Sequence, residues 1–238
     1  MIAFECCSSV EKPIEWEPDF WTLHADAGEA KAKVDDKVQH LVERVLDKLK
    51  YSGAYEIVMC FTDGVNFRKS ILPTYKANRI GKRKPICYTG VVDWVKENYT
   101  TYQRDGLEAD DCMGILATSK GANTVIISGD KDFKSIEGRF YDYRKGKLHI
   151  ISKEEADYWH LYQTLVGDVA DNYSGCPSVG DVTAKKLLAE SPTWETVVKA
   201  FEKKGLTEGD ALLQARVARI LRRSDYDLKE RKPILWNP

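Results

Sequence analysis

Three apolar runs in this chain each stop at an aspartate: residues 20–25 before Asp26, residues 57–62 before Asp63, and residues 124–128 before Gly129 and Asp130. Short runs rich in β-branched and aromatic residues read as strands. Between the first two, Val34, Val38, Leu41, Val42, Val45, Leu46 and Leu49 recur at helical spacing and draw one apolar stripe. Strands that alternate with helices demand crossover connections, so the pattern predicts an α/β chain with a parallel, doubly wound sheet. Ligands of such sheets bind in the crevice outside the carboxyl ends of the strands, which is where these aspartates are expected to meet.

More acids join them. Glu108, Asp110 and Asp111 open a helix that continues through Ile115; Asp130 and Asp132 stand two apart; Asp168 and Asp171 follow a helix expected over residues 154–166. Each group alone has an ordinary explanation. Acids complement the dipole at a helix start, aspartates favour turns at strand ends, and the i, i+3 pair at Asp168 and Asp171 reads as capping. Nine carboxylates converging on one crevice repel one another unless cations sit between them. Hard oxygen donors with no histidine or cysteine beside them suit Mg²⁺, two or more, with Mn²⁺ as a substitute. Such a set suits metal-assisted phosphoryl transfer.

The formal charge of −1 argues against a nucleic-acid partner only until those nine acids are set aside as metal ligands, which turns it into +8. A basic surface around a cation-filled acidic pocket suits a polyanionic substrate. The six cysteines show no CxxC spacing, so reduced thiols are expected and a zinc ribbon is not. No leader-like amino end and no long apolar run stand out, which predicts a soluble cytoplasmic protein that does not enter a membrane. The four histidines, His24, His40, His149 and His160, are dispersed and read as packing or surface residues.

In chain order, residues 1–18 show no period and are expected to form an irregular lead-in. Residues 19–166 are expected to form the α/β core, with residues 138–151 as two short strands around Lys145 and Gly146. Residues 167–238 read as a helical region, including an amphipathic helix over residues 207–223 whose basic stripe, Arg216, Arg219, Arg222 and Arg223, suits either a surface or a duplex-facing role. Residues 75–84 carry Lys76, Arg79, Lys82, Arg83 and Lys84 and no acid. A charge run is usually a solvated face; its place between the second strand and Glu108 suggests that Lys76 and Arg79 grip a scissile phosphate from the side opposite the metals, while Lys82, Arg83 and Lys84 hold the strand nonspecifically. Gly175 and Gly180 flank a tight turn before a helix that carries Thr183, Lys185 and Lys186. Backbone N–H groups at such a turn and helix start can meet phosphates; a plain helical hairpin is the alternative.

The order of these motifs resembles the flap endonuclease and 5′-exonuclease superfamily, which includes the 5′-nuclease domains of bacterial DNA polymerase I, and above all the 5′→3′ exonucleases of short-tailed bacteriophages. The likeness runs from about Asp26 to Thr183 and returns at residues 218–222. It implies a PIN-like parallel core flanked by helices. It also implies a C-terminal helical region with a helix-three-turn-helix at residues 171–188, which grips duplex DNA and often holds a K⁺. An arch at residues 65–90 would admit a single-stranded 5′ end. Asp26, Asp63, Glu108, Asp110 and Asp111 match the first metal cluster of the family; Asp130, Asp132, Asp168 and Asp171 match the second. Lys76 and Arg79 match its phosphate clamp, and Tyr75 a base-stacking aromatic. The implied activity is two-metal hydrolysis at 5′ ends of duplex or flap DNA by a monomer, with primer removal from RNA–DNA hybrids as a side activity. Ala27 and Ser178 stand where many members have glycine, and the chain is short between residues 188 and 207. The rivals are a PIN-type ribonuclease and an inactive DNA-binding scaffold.

Overall fold

The computed structural model describes residues 1–121 and 123–238. The amino end is ordered structure, which corrects the expected lead-in: helix α1 (Ile2–Ser9) is followed by β1 (Glu11–Glu17), which pairs antiparallel with β2 (Phe20–Ala25). Cys6, Cys7 and Val10 anchor this segment in a core shared with Val34, Val38, Val91 and Val95. Its pattern was hidden because the hairpin leaves Ile14, Trp16, Phe20 and Trp21 exposed, so no buried face alternates with a polar one. Pro13 is tolerated because the hairpin is only two strands wide.

Asp26 caps α2 (Ala27–Leu49), whose stripe of Val34, Val38, Leu41, Val42 and Val45 is buried as its spacing requires, and Lys50 ends it in the left-handed conformation. Next come β3 (Val58–Cys60), α3 (Arg68–Ile71), a 3₁₀ turn (Ala77–Arg79), α4 (Tyr88–Asn98), β4 (Thr100–Tyr102) and α5 (Ala109–Ala117). β4 is a short polar strand, parallel to β3, that carries no apolar signal. β5 (Val125–Ser128) pairs parallel with β6 (Gly138–Asp142), which returns antiparallel through β7 (Lys147–Ile151) around the expected turn. The parallel strands flanked by helices bear out the α/β expectation, but no single sheet spans the core. β2 pairs only with β1, and the β3–β4 and β5–β6–β7 sheets are not hydrogen-bonded to each other among the described residues.

The carboxyl part holds α6 (Lys153–Val166), α7 (Asp181–Glu190), α8 (Trp194–Glu202), α9 (Glu208–Ala218) and a terminal pair, β8 (Tyr226–Asp227) with β9 (Lys232–Pro233). Residue 166 is not a clean boundary. Leu161 and Leu165 of α6 pack with α7, α8 and α9, while Ala156 of α6 and Ile220 pack with Ile126 and Phe133 of the sheet region. Helix α9 ends at Ala218, not Arg223, and the basic stripe dissolves. Arg219 and Arg222 are buried: Arg219 donates to Asp225 at 2.8 Å, and Arg222 to Asp157 at 2.7 Å and to the Ser135 carbonyl at 2.9 Å. They close the chain end onto the core and cannot face a duplex.

Candidate active site

Arg68, on the short helix after Asp63, organises the first acidic group, and the sequence reading overlooked it. Its guanidinium is buried and donates to both oxygens of Asp111 at 2.7 Å, to Glu108 Oε2 at 3.3 Å, and to the Val217 and Arg219 carbonyls. Asp111 is wholly buried and also accepts from Leu221 N at 3.0 Å and Glu108 N at 3.1 Å. All its acceptor capacity is spent, so Asp111 ties α5 to α3 and to the chain end and is not free to ligate a metal, contrary to expectation. In the sequence Arg68 is one of two adjacent cations, with Lys69, between Phe67 and the apolar pair Ile71 and Leu72, and nothing in that pattern marks it as the buried one.

Residues 74–79 are laced to the Asp168–Asp171 loop. Lys76 N donates to the Asp171 carbonyl at 2.8 Å, Asn78 to the Val169 carbonyl at 3.1 Å, and Asn172 to the Thr74 carbonyl at 2.7 Å. Asp168 turns that loop, its Oδ1 accepting from Ala170 N at 2.6 Å. The lacing brings the second acidic group beside the first. The Tyr75 hydroxyl bridges Glu108 Oε2 at 2.8 Å and Asp171 Oδ2 at 3.0 Å, and Lys76 Nζ contacts Glu108 and lies 3.4 Å from Asp171 Oδ2. Arg79 pairs with Asp171. The two cations thus stand on the acids themselves, not on the side opposite them. Tyr75 is 2% exposed, so it is a buried strut and not a base-stacking platform here.

The remaining carboxylates are electrostatically crowded. Asp110 accepts no hydrogen bond among the described residues, and burial together with the charges of Glu108 and Asp130 pushes its carboxyl up to about 7. Asp132 is raised to about 7 by burial and by Asp130, Asp168 and Asp171, and its Oδ1 is buried with no partner. Burial works in the same direction on Glu108, but Arg68 and Lys76 outweigh it and hold that carboxyl at about 2. No three acids among the described residues stand ready to ligate one ion; Lys76 lies between Glu108 and Asp171 instead. A hard divalent cation fits this donor set: it would partner the orphaned Asp132 oxygen and offset the burial and repulsion that raise the Asp110 and Asp132 carboxyls.

Asp63 sits at the rim of this group. Its Oδ2 accepts from Gly106 N at 2.8 Å, its N–H donates to the Leu107 carbonyl at 2.9 Å, and these backbone donors lower its carboxyl. Asp26 is exposed and caps Glu29 N at 3.0 Å, and among the described residues no side chain bridges it to the other acids. The strand before it, β2, pairs with β1 and not with β3 or β5.

The expected DNA contacts divide. Lys82 is exposed; Arg83 is held by both oxygens of Glu11 at 2.7 and 2.8 Å; Lys84 lies over the Tyr88 ring. Gly175 does not offer its backbone to a phosphate: it is buried with φ +62, its N–H donates to Gln214 at 2.9 Å, and a Cβ would lie 2.4 Å from Gly167 N. Gly180 is open, and with Thr183, Lys185 and Lys186 it forms an exposed start to α7, where Lys185 pairs with Asp181 at 2.8 Å. Ser178 takes a left-handed φ of 62, the conformation that explains glycine at this turn.

Comparison with known proteins fits this geometry. The family model for the 5′-3′ exonuclease N-terminal resolvase-like domain matches residues 20–156. The exodeoxyribonuclease of Enterobacteria phage T3 is 32% identical over 100% of this chain and 90% of its own length. The exonuclease of Escherichia phage T7 is 32% identical over 100% of this chain and 91% of its own. The fold matches the bacteriophage T5 flap endonuclease, solved in a pseudo-enzyme-product complex with DNA and metal ions, with a TM-score of 0.64 at 13% identity over 80% of each chain. A strand-and-helix core whose acids gather beside a helical region, matched over its full length by phage exonucleases, places this chain in the 5′-3′ exonuclease family.

Proposed function

We propose that the chain hydrolyses phosphodiesters at the 5′ ends of duplex or flap DNA by a two-metal mechanism. The observation that carries this reading is the gathering of Glu108, Asp110 and Asp130 with Asp132, Asp168 and Asp171, which with burial pushes the Asp110 and Asp132 carboxyls up to about 7. Crowding of that kind is costly in a fold unless function uses it. Bound divalent cations would supply an activated water and a counter-charge to the leaving 3′-oxygen. Once Lys76 and Arg79 leave Glu108 and Asp171, Glu108, Asp110 and Asp130 would close on the first ion and Asp132, Asp168 and Asp171 on the second, with Asp63 at the rim. Lys76 and Arg79 are positioned to exchange their carboxylate partners for a substrate phosphate, adding positive charge where it develops. Gly180, Thr183 and Lys186 present exposed donors to a duplex backbone without reading sequence. A K⁺ in the residue 171–188 turn, removal of RNA from RNA–DNA hybrids, monomeric action and a part in phage DNA replication in the host cytoplasm belong to the same proposal.

The test is release of a 5′ label from blunt, nicked and flapped duplexes with Mg²⁺ and with EDTA. Mg²⁺-dependent release is expected; equal release in EDTA overturns the proposal. The same assay on single-stranded RNA separates this reading from a PIN-type ribonuclease.

A further inference from the structure

The break in the sheet is a shaped cavity. About 600 Å³ of space separates β3 from β5, walled by residues 57–60 and 124–127 and covered by Val38, Leu41 and Val45 of α2 on one face and Met113 and Leu116 of α5 on the other. β3 pairs through one edge with β4, and β5 through one edge with β6, so the two edges that face the cavity carry backbone donors and acceptors with no strand partner among the described residues. An unpaired strand edge is a template for a partner that offers N–H and C=O along its length, and here two such edges face one space. A small apolar molecule would fill the volume and leave the edges unmet.

Both edges also run in one direction. The end of β3 meets the start of α5, where Ala109 N donates to Thr62 Oγ1 at 3.1 Å. Ile126, near the start of β5, clusters with Met113 and Ala117 in the later turns of the same helix, so β5 also runs toward the amino end of α5. A single ribbon parallel to both would therefore satisfy both edges at once. With apolar helices over each face it must be apolar on both sides, as the central strands of parallel sheets are. Ile2, the first residue of α1, lines the cavity, so the Met1 end of the chain lies next to it.

We propose that the slot between β3 and β5 is a strand-receiving site whose occupant is one extended, doubly apolar polypeptide segment, parallel to both neighbours and entering from the Met1 side. It would merge the two partial sheets into one and stiffen the floor beneath the acidic group. The inference rests on the sheet edges and the cavity, independently of the nuclease reading.

The test compares the 238-residue chain with a version extended before Met1 by Val-Ile-Val-Ile-Gly-Ser, using native-state hydrogen exchange and thermal melting. Amides of residues 57–60 and 125–128 are expected to slow by about tenfold or more in the extended chain, with a higher Tm and unchanged exchange in the β1–β2 hairpin. A second extension, Val-Lys-Val-Lys-Gly-Ser, is expected to leave exchange and Tm as they are in the unextended chain. Three results would each overturn the proposal: unchanged exchange with the apolar extension, equal slowing with the lysine-bearing one, or concentration-dependent slowing of these amides in the unextended chain together with dimers on sedimentation, which would assign the slot to a second copy.

Discussion

Replacing Asp111 by alanine separates a structural acid from its catalytic neighbours. The carboxylate accepts two charged hydrogen bonds from Arg68 at 2.7 Å and backbone N–H groups from Leu221 and Glu108 at 3.0 and 3.1 Å, with no exposure to water. Removing one partner of a buried pair strands the other charge and costs about 3–5 kcal/mol. The two orphaned backbone donors add roughly 1 kcal/mol each. The sum takes much or all of the stability of a domain, which is typically about 5–15 kcal/mol. Urea denaturation without metal should therefore show a large drop in midpoint for Asp111→Ala, with a smaller drop for Asp111→Asn. Asp110→Asn is the contrast: it removes a crowded carboxyl that accepts no hydrogen bond among the described residues, so metal-free stability at pH 8 should rise by about 1–2 kcal/mol, or roughly 3–6 °C, while Mn²⁺ affinity in calorimetric titration falls. A wild-type midpoint together with lost Mn²⁺ affinity in Asp111→Ala would refute the reasoning and return Asp111 to the metal.

Four further outcomes follow from the same geometry. Asp110 and Asp132 keep their protons to about pH 7 in the folded state against an ordinary 3.8, so ionising them opposes folding: Tm in EDTA should fall as pH rises from about 4 to 8, and Mg²⁺ should restore it most at the alkaline end. Melts across that range that show no widening gap between EDTA and Mg²⁺ would contradict the crowding. Lys76→Ala should lower turnover about 10²-fold or more with little change in KM, the scale of one lost transition-state donor; a change confined to KM would place Lys76 in ground-state binding. Asp26→Ala should cost about 1 kcal/mol of stability through the lost cap and leave Mn²⁺ affinity and activity intact, checked by denaturation and titration. Gly175→Ala should destabilise by about 2 kcal/mol or more, because φ is +62 and the new Cβ meets backbone at 2.4 Å, whereas Gly180→Ala should fold normally; equal midpoints for the two variants would count against that distinction.

Much was legible in the chain because local patterns carry it. The stripe on α2, the strands at residues 124–128 and 138–151, the helix from residue 153 and the order of the acidic groups follow from side-chain periodicity and turn chemistry, which act over a few residues. What the pattern could not carry was partnership. Asp26 and Asp130 both follow an apolar run, yet the first ends a strand paired only with an exposed hairpin and the second ends a strand of the core. Asp110 and Asp111 are adjacent, but helix geometry turns one toward the acidic group and the other onto Arg68. Tyr75, Lys76 and Arg79 form one motif in sequence, but burial makes the tyrosine a strut and leaves the cations on the acids. Carboxylates look alike in sequence. Which one carries charge, which holds a proton and which is spent on an ion pair depends on the dielectric and on the neighbours that distant segments bring, and only the packed chain sets those.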